Sequence, residues 1–189
     1  MKYKIYTNTR DSSWKFLIQH KISCLPINLK QITSEMEITV KKDTSGILRE
    51  SESGRAVNAN GDLHIIVRES PVPQKRYTIM HEIGHIVLGH TEKDIVSDIN
   101  EYAAERFAID VLAPACVLWG LNIHSAEEIA EICNISLSAA RIRAERMEML
   151  YKRDKFLTSS LERQVFNQFY DFISTRRIFL FSDKENFRR

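Results

Sequence analysis

Apolar residues recur at helical spacing through Trp14, Leu17 and Ile18, which predicts a capped helix over Asp11 to His20. A second short helix is expected within Leu25 to Thr33, after the break at Pro26, and Met36, Ile38 and Val40 then alternate as a strand does. Gly46 to Gly61 is rich in Ser, Gly and Asn and reads as a turn or loop leading to Asp62 to Arg68, whose run DLHIIVR has the character of a buried strand. Ser70, Pro71 and Pro73 punctuate the chain before a strong helix over Arg76 to Gly89, with Gly89 as its stop. Ile95 to Leu112 reads as a second long helix, stopped by Pro114. Ser125 and Glu128 form a capping box for a helix to Cys133, Ser136 caps another to Tyr151, and Leu157 to Leu180 suits a last helix and a short strand. A few strands among mostly helices make the fold class α+β.

Composition narrows the function classes. At 43% hydrophobic and 28% charged, the 189 residues sit in the range of an ordinary globular protein. Three cysteines, Cys24, Cys116 and Cys133, make neither a CxxC pair nor a secreted disulfide framework, so a cytoplasmic location is the expectation. The first residues lack an apolar leader segment and no apolar run approaches membrane-spanning length, so neither export nor a membrane partner is expected. The net charge of +2 hides an uneven distribution: residues 1–81 carry 13 basic and 8 acidic side chains, residues 82–140 carry 2 and 10, and residues 141–189 carry 12 and 7. An acidic middle suits a cation site there, while the basic ends leave nucleic-acid contact open but not favoured over a solvated surface.

The chemistry concentrates in His81, Glu82, Ile83, Gly84 and His85, an HExxH motif on the strongest predicted helix. At 3.6 residues per turn the two imidazoles stack one above the other and can grip one ion, while Glu82 is turned by about 100° to lie beside that ion and serve as catalytic base. A catalytic zinc site usually takes three protein ligands. The metzincin pattern would need Gly at 88 and His at 91, where this chain has Leu88 and Thr91. His90 lies past Gly89 and reads as a helix-end residue more than as a ligand.

The third ligand is sought on the next helix. Placing Glu101 at the origin of a helical wheel puts Ala104, Phe107, Ala108, Val111 and Leu112 around it, with Arg106 and Asp110 on the far side. A carboxylate on an apolar face is costly without a cation, and the nearest cation would be the one on His81 and His85. Glu101 is therefore the expected third ligand, with Glu105 as an acceptor for the free N–H of a liganding histidine. Glu92, Asp94 and Asp98 rank below Glu101, since nothing puts them on an apolar face.

The runs RYTIMHEIGHIVLGH (Arg76 to His90) and EYAAERFAIDVLAP (Glu101 to Pro114) resemble the ImmA/IrrE family of zinc metallopeptidases. The family pattern falls on His81, Glu82, His85, Glu101, Ala104, Phe107, Ala108, Leu112 and Pro114, while Glu105 and Ala113 depart from it. A looser similarity extends over residues 60–146. The resemblance implies a zincin-like, gluzincin-type core with Zn2+ as cofactor. It also implies a protein substrate, a helix-turn-helix repressor of a mobile element or stress pathway.

The segment from Glu128 to Ala140 has the layout of a helix-turn-helix, with Asn134 at a left-handed turn and Ser136 capping the second helix. Arg143 and Arg146 are expected on one side of that helix, within reach of one groove, but Leu137, Ser138 and Ala139 offer little to a base edge. A helix pair that supports the fold or docks a protein substrate is favoured over DNA reading. The expected organisation is a metallopeptidase domain over 1–122, a helix-turn-helix-like segment over 123–151 and a C-terminal helical extension over 152–189. In that extension Phe156, Phe166, Phe169, Tyr170 and Phe172 would close the core. For the oxyanion donor, Tyr77, Tyr102, His64 and His124 are all open. The competing function is a non-proteolytic DNA- or protein-binding regulator, or a toxin-antitoxin component, with a structural or sensing zinc.

Overall fold

The computed structural model describes residues 2–90 and 97–177. Thr91, Glu92, Asp94, the start of the helix expected from Ile95, and the strand expected near residue 180 lie outside the described residues. The elements run α1 (Lys2–Gln19), α2 (Leu29–Glu35), β1 (Ile38–Lys42), β2 (Gly54–Ala59), β3 (Asp62–Val67), α3 (Val72–Leu88), α4 (Asp98–Leu112), α5 (Ala115–Gly120), α6 (Ala126–Cys133), α7 (Leu137–Lys152) and α8 (Ser160–Gln168). Residues 170–177 are helical as well. The architecture is α+β and mostly helical, with a small three-stranded sheet. Among the described residues, no helix is long and apolar enough to cross a membrane.

Two expected boundaries are corrected. Helix α1 does not begin at Asp11 but runs unbroken from Lys2. Asp11 accepts from the neighbouring Arg10, whose guanidinium lies 4.6 Å from the centre of the Trp14 ring. The inward face includes Thr9 and Ser13, and Ser13 hides its hydroxyl in a 2.9 Å bond to the Thr9 carbonyl, so polar letters conceal a buried stripe. Helix α3 starts at Val72, four residues before the expected Arg76, because prolines at its first turn have no amide to lose there.

The larger correction is β2, which lies inside the stretch expected to be loop. It pairs antiparallel with β3 through Asn60 (φ 56°) and Gly61 (φ 96°), and β3 pairs parallel with β1, giving the order β1-β3-β2. Positive φ at both central residues is what a two-residue hairpin turn requires, and Asn-Gly supplies it at little cost. The bond from Arg68 N to Ser53 O sets the parity of the ladder. Arg55 and Val57 face β3 with their backbone groups, while Gly54, Ala56 and Asn58 turn theirs to the free edge.

Helices α3 and α4 pack closely because Gly84 has no side chain: a Cβ there would stand 3.1 Å from Phe107 Cδ1 and 3.2 Å from the Ala104 carbonyl. Ala104, Phe107, Ala108, Val111 and Leu112 are fully buried, as the helical wheel requires. The wheel's far side is not solvent, however. Asp110 is buried, 2.6 Å from Arg143 of α7, and Arg106 joins it at 3.0 Å. One apolar core runs from Trp14 in α1 to Ile173 and includes Ile129 and Cys133 of α6, Met147 of α7 and Val165 of α8. In the C-terminal region Phe169 is buried and Phe156 stacks on Trp119 at 5.4 Å, so these aromatics close the core; Tyr170 stays exposed.

Candidate metal centre

The site begins with the way α3 ends. Gly89 adopts the left-handed conformation (φ 71°, ψ 27°), which stops the helix one turn after His85, and the next amide, His90 N, bonds back to the His85 carbonyl at 3.0 Å. His81 and His85 lie one turn apart with their rings 4.7 Å apart at 72°. Their Nε2 atoms approach to 3.0 Å.

Helix α4 brings Glu101 to the same point from its first turn. One carboxylate oxygen lies 3.2 Å from His81 Nε2 and the other 3.3 Å from His85 Nε2, so each ring faces its own oxygen. His85 is almost wholly buried, whereas the Glu101 side chain is 42% exposed, which leaves the cluster open on the α4 side. Glu101 thus sits at the rim of the apolar face and not within it. Burial pushes the pKa of both imidazoles down to about 4 and raises that of Glu101, with Glu105 adding repulsion to the latter. Neutral imidazoles keep their lone pairs free, and two such nitrogens beside a carboxylate are a donor set that suits zinc. These three residues form the group whose ligand atoms all lie within 4.8 Å of one another.

Glu82 is carried on the buried side of the same helix, next to His81. Its Oε2 accepts from the Ala56 amide at 2.8 Å, on the free edge of β2. Burial, with a smaller contribution from the Glu101 charge, raises its pKa to about 7. The strand can come this close because residue 54 is glycine: a Cβ there would stand 2.5 Å from Thr78 Cγ2 and 3.6 Å from Glu82 Cγ. Neither Gly54 nor Ala56 was singled out by sequence reasoning, which saw this stretch as loop; the Asn60-Gly61 pair was the signal that could have exposed the strand.

The remaining sequence candidates separate by position. Glu105 is exposed, and it is its backbone carbonyl that receives the Tyr77 hydroxyl, at 3.4 Å. The contact to His85 Nδ1 comes from His90, whose Nδ1 is 3.0 Å away. Tyr77 lies at the site, its ring 6.4 Å from that of His81, and burial raises its hydroxyl pKa. Tyr102 is half exposed on α4 beside Glu101, and Asp98 is exposed at the start of that helix. His64 pairs with Val57 on the face of the sheet opposite Gly54 and Ala56, hence away from α3. His124 stacks on Tyr151 between α5 and α6, apart from the site.

The helix-turn-helix-like segment shows the expected local features. Asn134 is left-handed (φ 50°, ψ 55°), Ser125 and Glu128 close a capping box, and Ser136 caps α7. Arg143 does not face a groove. It is fully buried, donating to the Ile109 carbonyl at 2.7 Å and to Asp110 Oδ1 at 2.6 Å, so the pair of arginines expected to reach DNA together is broken.

Two imidazoles one helical turn apart, a glutamate from the next helix and an acid leaning on a strand edge are the equipment of a metallopeptidase. The chain belongs to the IrrE N-terminal-like family of peptidases, M78, whose family model matches residues 43–145, more than half of the sequence. The match takes in β2, β3, α3 to α6 and the first half of α7. No curated protein is detectably similar to the chain.

Proposed function

We propose that this protein is a zinc-dependent endopeptidase that hydrolyses a peptide bond in a regulatory protein of the cytoplasm, a helix-turn-helix repressor being the substrate that the family resemblance suggests. The observation that carries the reading is the convergence of His81 Nε2, His85 Nε2 and both Glu101 oxygens on one point, with Glu82 beside them on the same helix. His81, His85 and Glu101 would hold the ion. Bound there, zinc would supply a Lewis acid for the peptide carbonyl and lower the pKa of a water to about 7.

The chain's own residues supply the rest. The outer edge of β2, with outward backbone groups at Gly54 and Asn58 and the outward Ala56 carbonyl, offers an extended peptide a strand to pair with, the Ala56 amide being taken by Glu82. Glu82, reaching that same edge, is placed to take a proton from the attacking water and pass it to the departing amine. Residues 123–151 would dock the protein substrate, a role consistent with Arg143 being spent inside the fold.

The test is Glu82→Gln, which should leave zinc stoichiometry at one per chain while abolishing cleavage of a repressor encoded beside this protein. Cleavage at the wild-type rate would remove Glu82 from the mechanism.

A further inference from the structure

His85 is held from both sides. Its Nε2 faces His81 and Glu101 at 3.0 and 3.3 Å, and its Nδ1 lies 3.0 Å from Nδ1 of His90, whose ring is 5.1 Å away at 67°. This contact lies on the side of His85 away from the proposed ion, which replaces the proton between the two Nε2 atoms but cannot do so here, so it holds one proton and one ring donates while the other accepts. If His90 donated, the proton of neutral His85 would sit on Nε2, the atom that faces the proposed ion. If His85 donates, its Nε2 lone pair is free toward His81 and Glu101.

We infer that His90 is a positioning residue: it accepts the Nδ1–H of His85, holds that imidazole in the tautomer whose Nε2 can bind a metal, and fixes the plane of the ring. The inference rests on the proposed role of His85 as a ligand. The helix stop makes the contact available. Left-handed Gly89 turns the chain so that the His90 amide bonds to the His85 carbonyl, which returns the His90 side chain to the last turn of α3. An acceptor behind a metal-binding histidine commonly changes metal affinity by about tenfold to a hundredfold.

The test uses the full chain, zinc alone as probe, and two variants. His90→Phe keeps a ring at this place and removes both nitrogens; His90→Gln restores an acceptor oxygen on a flexible stem. Zinc affinity, measured by competition with a chromophoric chelator at fixed pH, should fall about tenfold to a hundredfold in His90→Phe and recover most of that loss in His90→Gln. Histidine nitrogen NMR of the zinc-loaded wild type should show His85 protonated on Nδ1, a readout that needs no variant to fold. Wild-type affinity in His90→Phe, or metal on His85 Nδ1, would overturn the inference while leaving the metal site intact. Failure of the wild type itself to bind one zinc would overturn the metal-site reading, and this inference with it.

Discussion

The carboxylate of Glu82 and the backbone amide of Ala56, 26 residues apart in sequence, meet at 2.8 Å and so join the HExxH helix to the outer edge of the sheet. The acid proposed as catalytic base and the strand proposed to receive a peptide are therefore one mechanical unit. The spacing between them is set by a residue with no side chain.

That dependence makes Gly54 sensitive to the smallest substitution. Gly54→Ala places a methyl group 2.5 Å from Thr78 Cγ2, and β2 must move off α3 or Thr78 must rotate. Overpacking of this kind typically costs about 1–3 kcal/mol. Urea unfolding should show that loss, and peptidase activity should fall more than zinc binding does, since the ligands lie on α3 and α4. Activity and stability both at wild-type levels would show that the strand need not touch the helix.

Glu101 is the residue whose loss should separate metal binding from folding. Its side chain is partly exposed and its neighbours Ala104 and Ala108 are already packed, so Glu101→Ala should fold normally. Bound zinc, measured by elemental analysis after dialysis, should drop below one per chain. The thermal stabilisation given by saturating zinc, worth about 2.7 kcal/mol at a hundredfold excess over Kd, should shrink with it.

The two imidazoles predict an acid sensitivity of the metal-free protein. Each has a folded pKa of about 4 against an ordinary value of 6.5, so between those limits the unfolded chain binds more protons and stability falls as pH falls. Glu82, raised to about 7, has the opposite sign: its penalty grows as pH rises from 4.5 toward 7. With zinc removed by a chelator, the His81→Gln/His85→Gln double variant should lose less stability than wild type between pH 6.5 and 4.5. Glu82→Gln should gain relative to wild type as pH rises from 4.5 to 7 and hold that gain above it. Parallel stability curves for all three proteins would contradict these shifts.

The Asp110–Arg143 pair predicts an asymmetry between its two members. Removing the carboxylate by Asp110→Ala leaves a fully buried guanidinium without its counter-charge, a change that costs about 3–5 kcal/mol in buried pairs. Arg143→Met replaces the cation with an apolar chain of similar length, but leaves Asp110 paired with Arg106 at 3.0 Å, so it should cost less. Chemical denaturation of the two variants measures the difference. An equal loss would mean that Arg106 does not sustain Asp110 alone.

Much of the site could be read from the chain because its determinants are local. Helical periodicity alone stacks His81 over His85 and turns Glu82 aside, and a wheel that put Glu101 next to Ala104 and Ala108 pointed to the helix contact that the structure shows. Left-handed Gly89 and Asn134 and the caps at Ser125 and Ser136 likewise follow from single residues and their nearest neighbours. Features that join distant segments were hidden. Strand β2 has only Ala56, Val57 and Ala59 as apolar residues, so no alternation marks it, and it exists because β3 and α3 flank it. Asp110 looked solvent-facing because a wheel counts one contact face, whereas α4 is enclosed by α3, α1 and Arg143 of α7. His90 looked like a mere helix end because the Gly89 turn, which folds it back onto His85, acts in three dimensions.

The sequence by itself determined the helix that carries the motif, the residues able to bind an ion and the stops at Gly89 and Asn134, since all of these depend on φ, ψ and side-chain chemistry within a few residues. The tertiary structure alone decided which strand meets Glu82, which group backs His85 and which arginine is buried, because each is a contact between segments that no local period encodes.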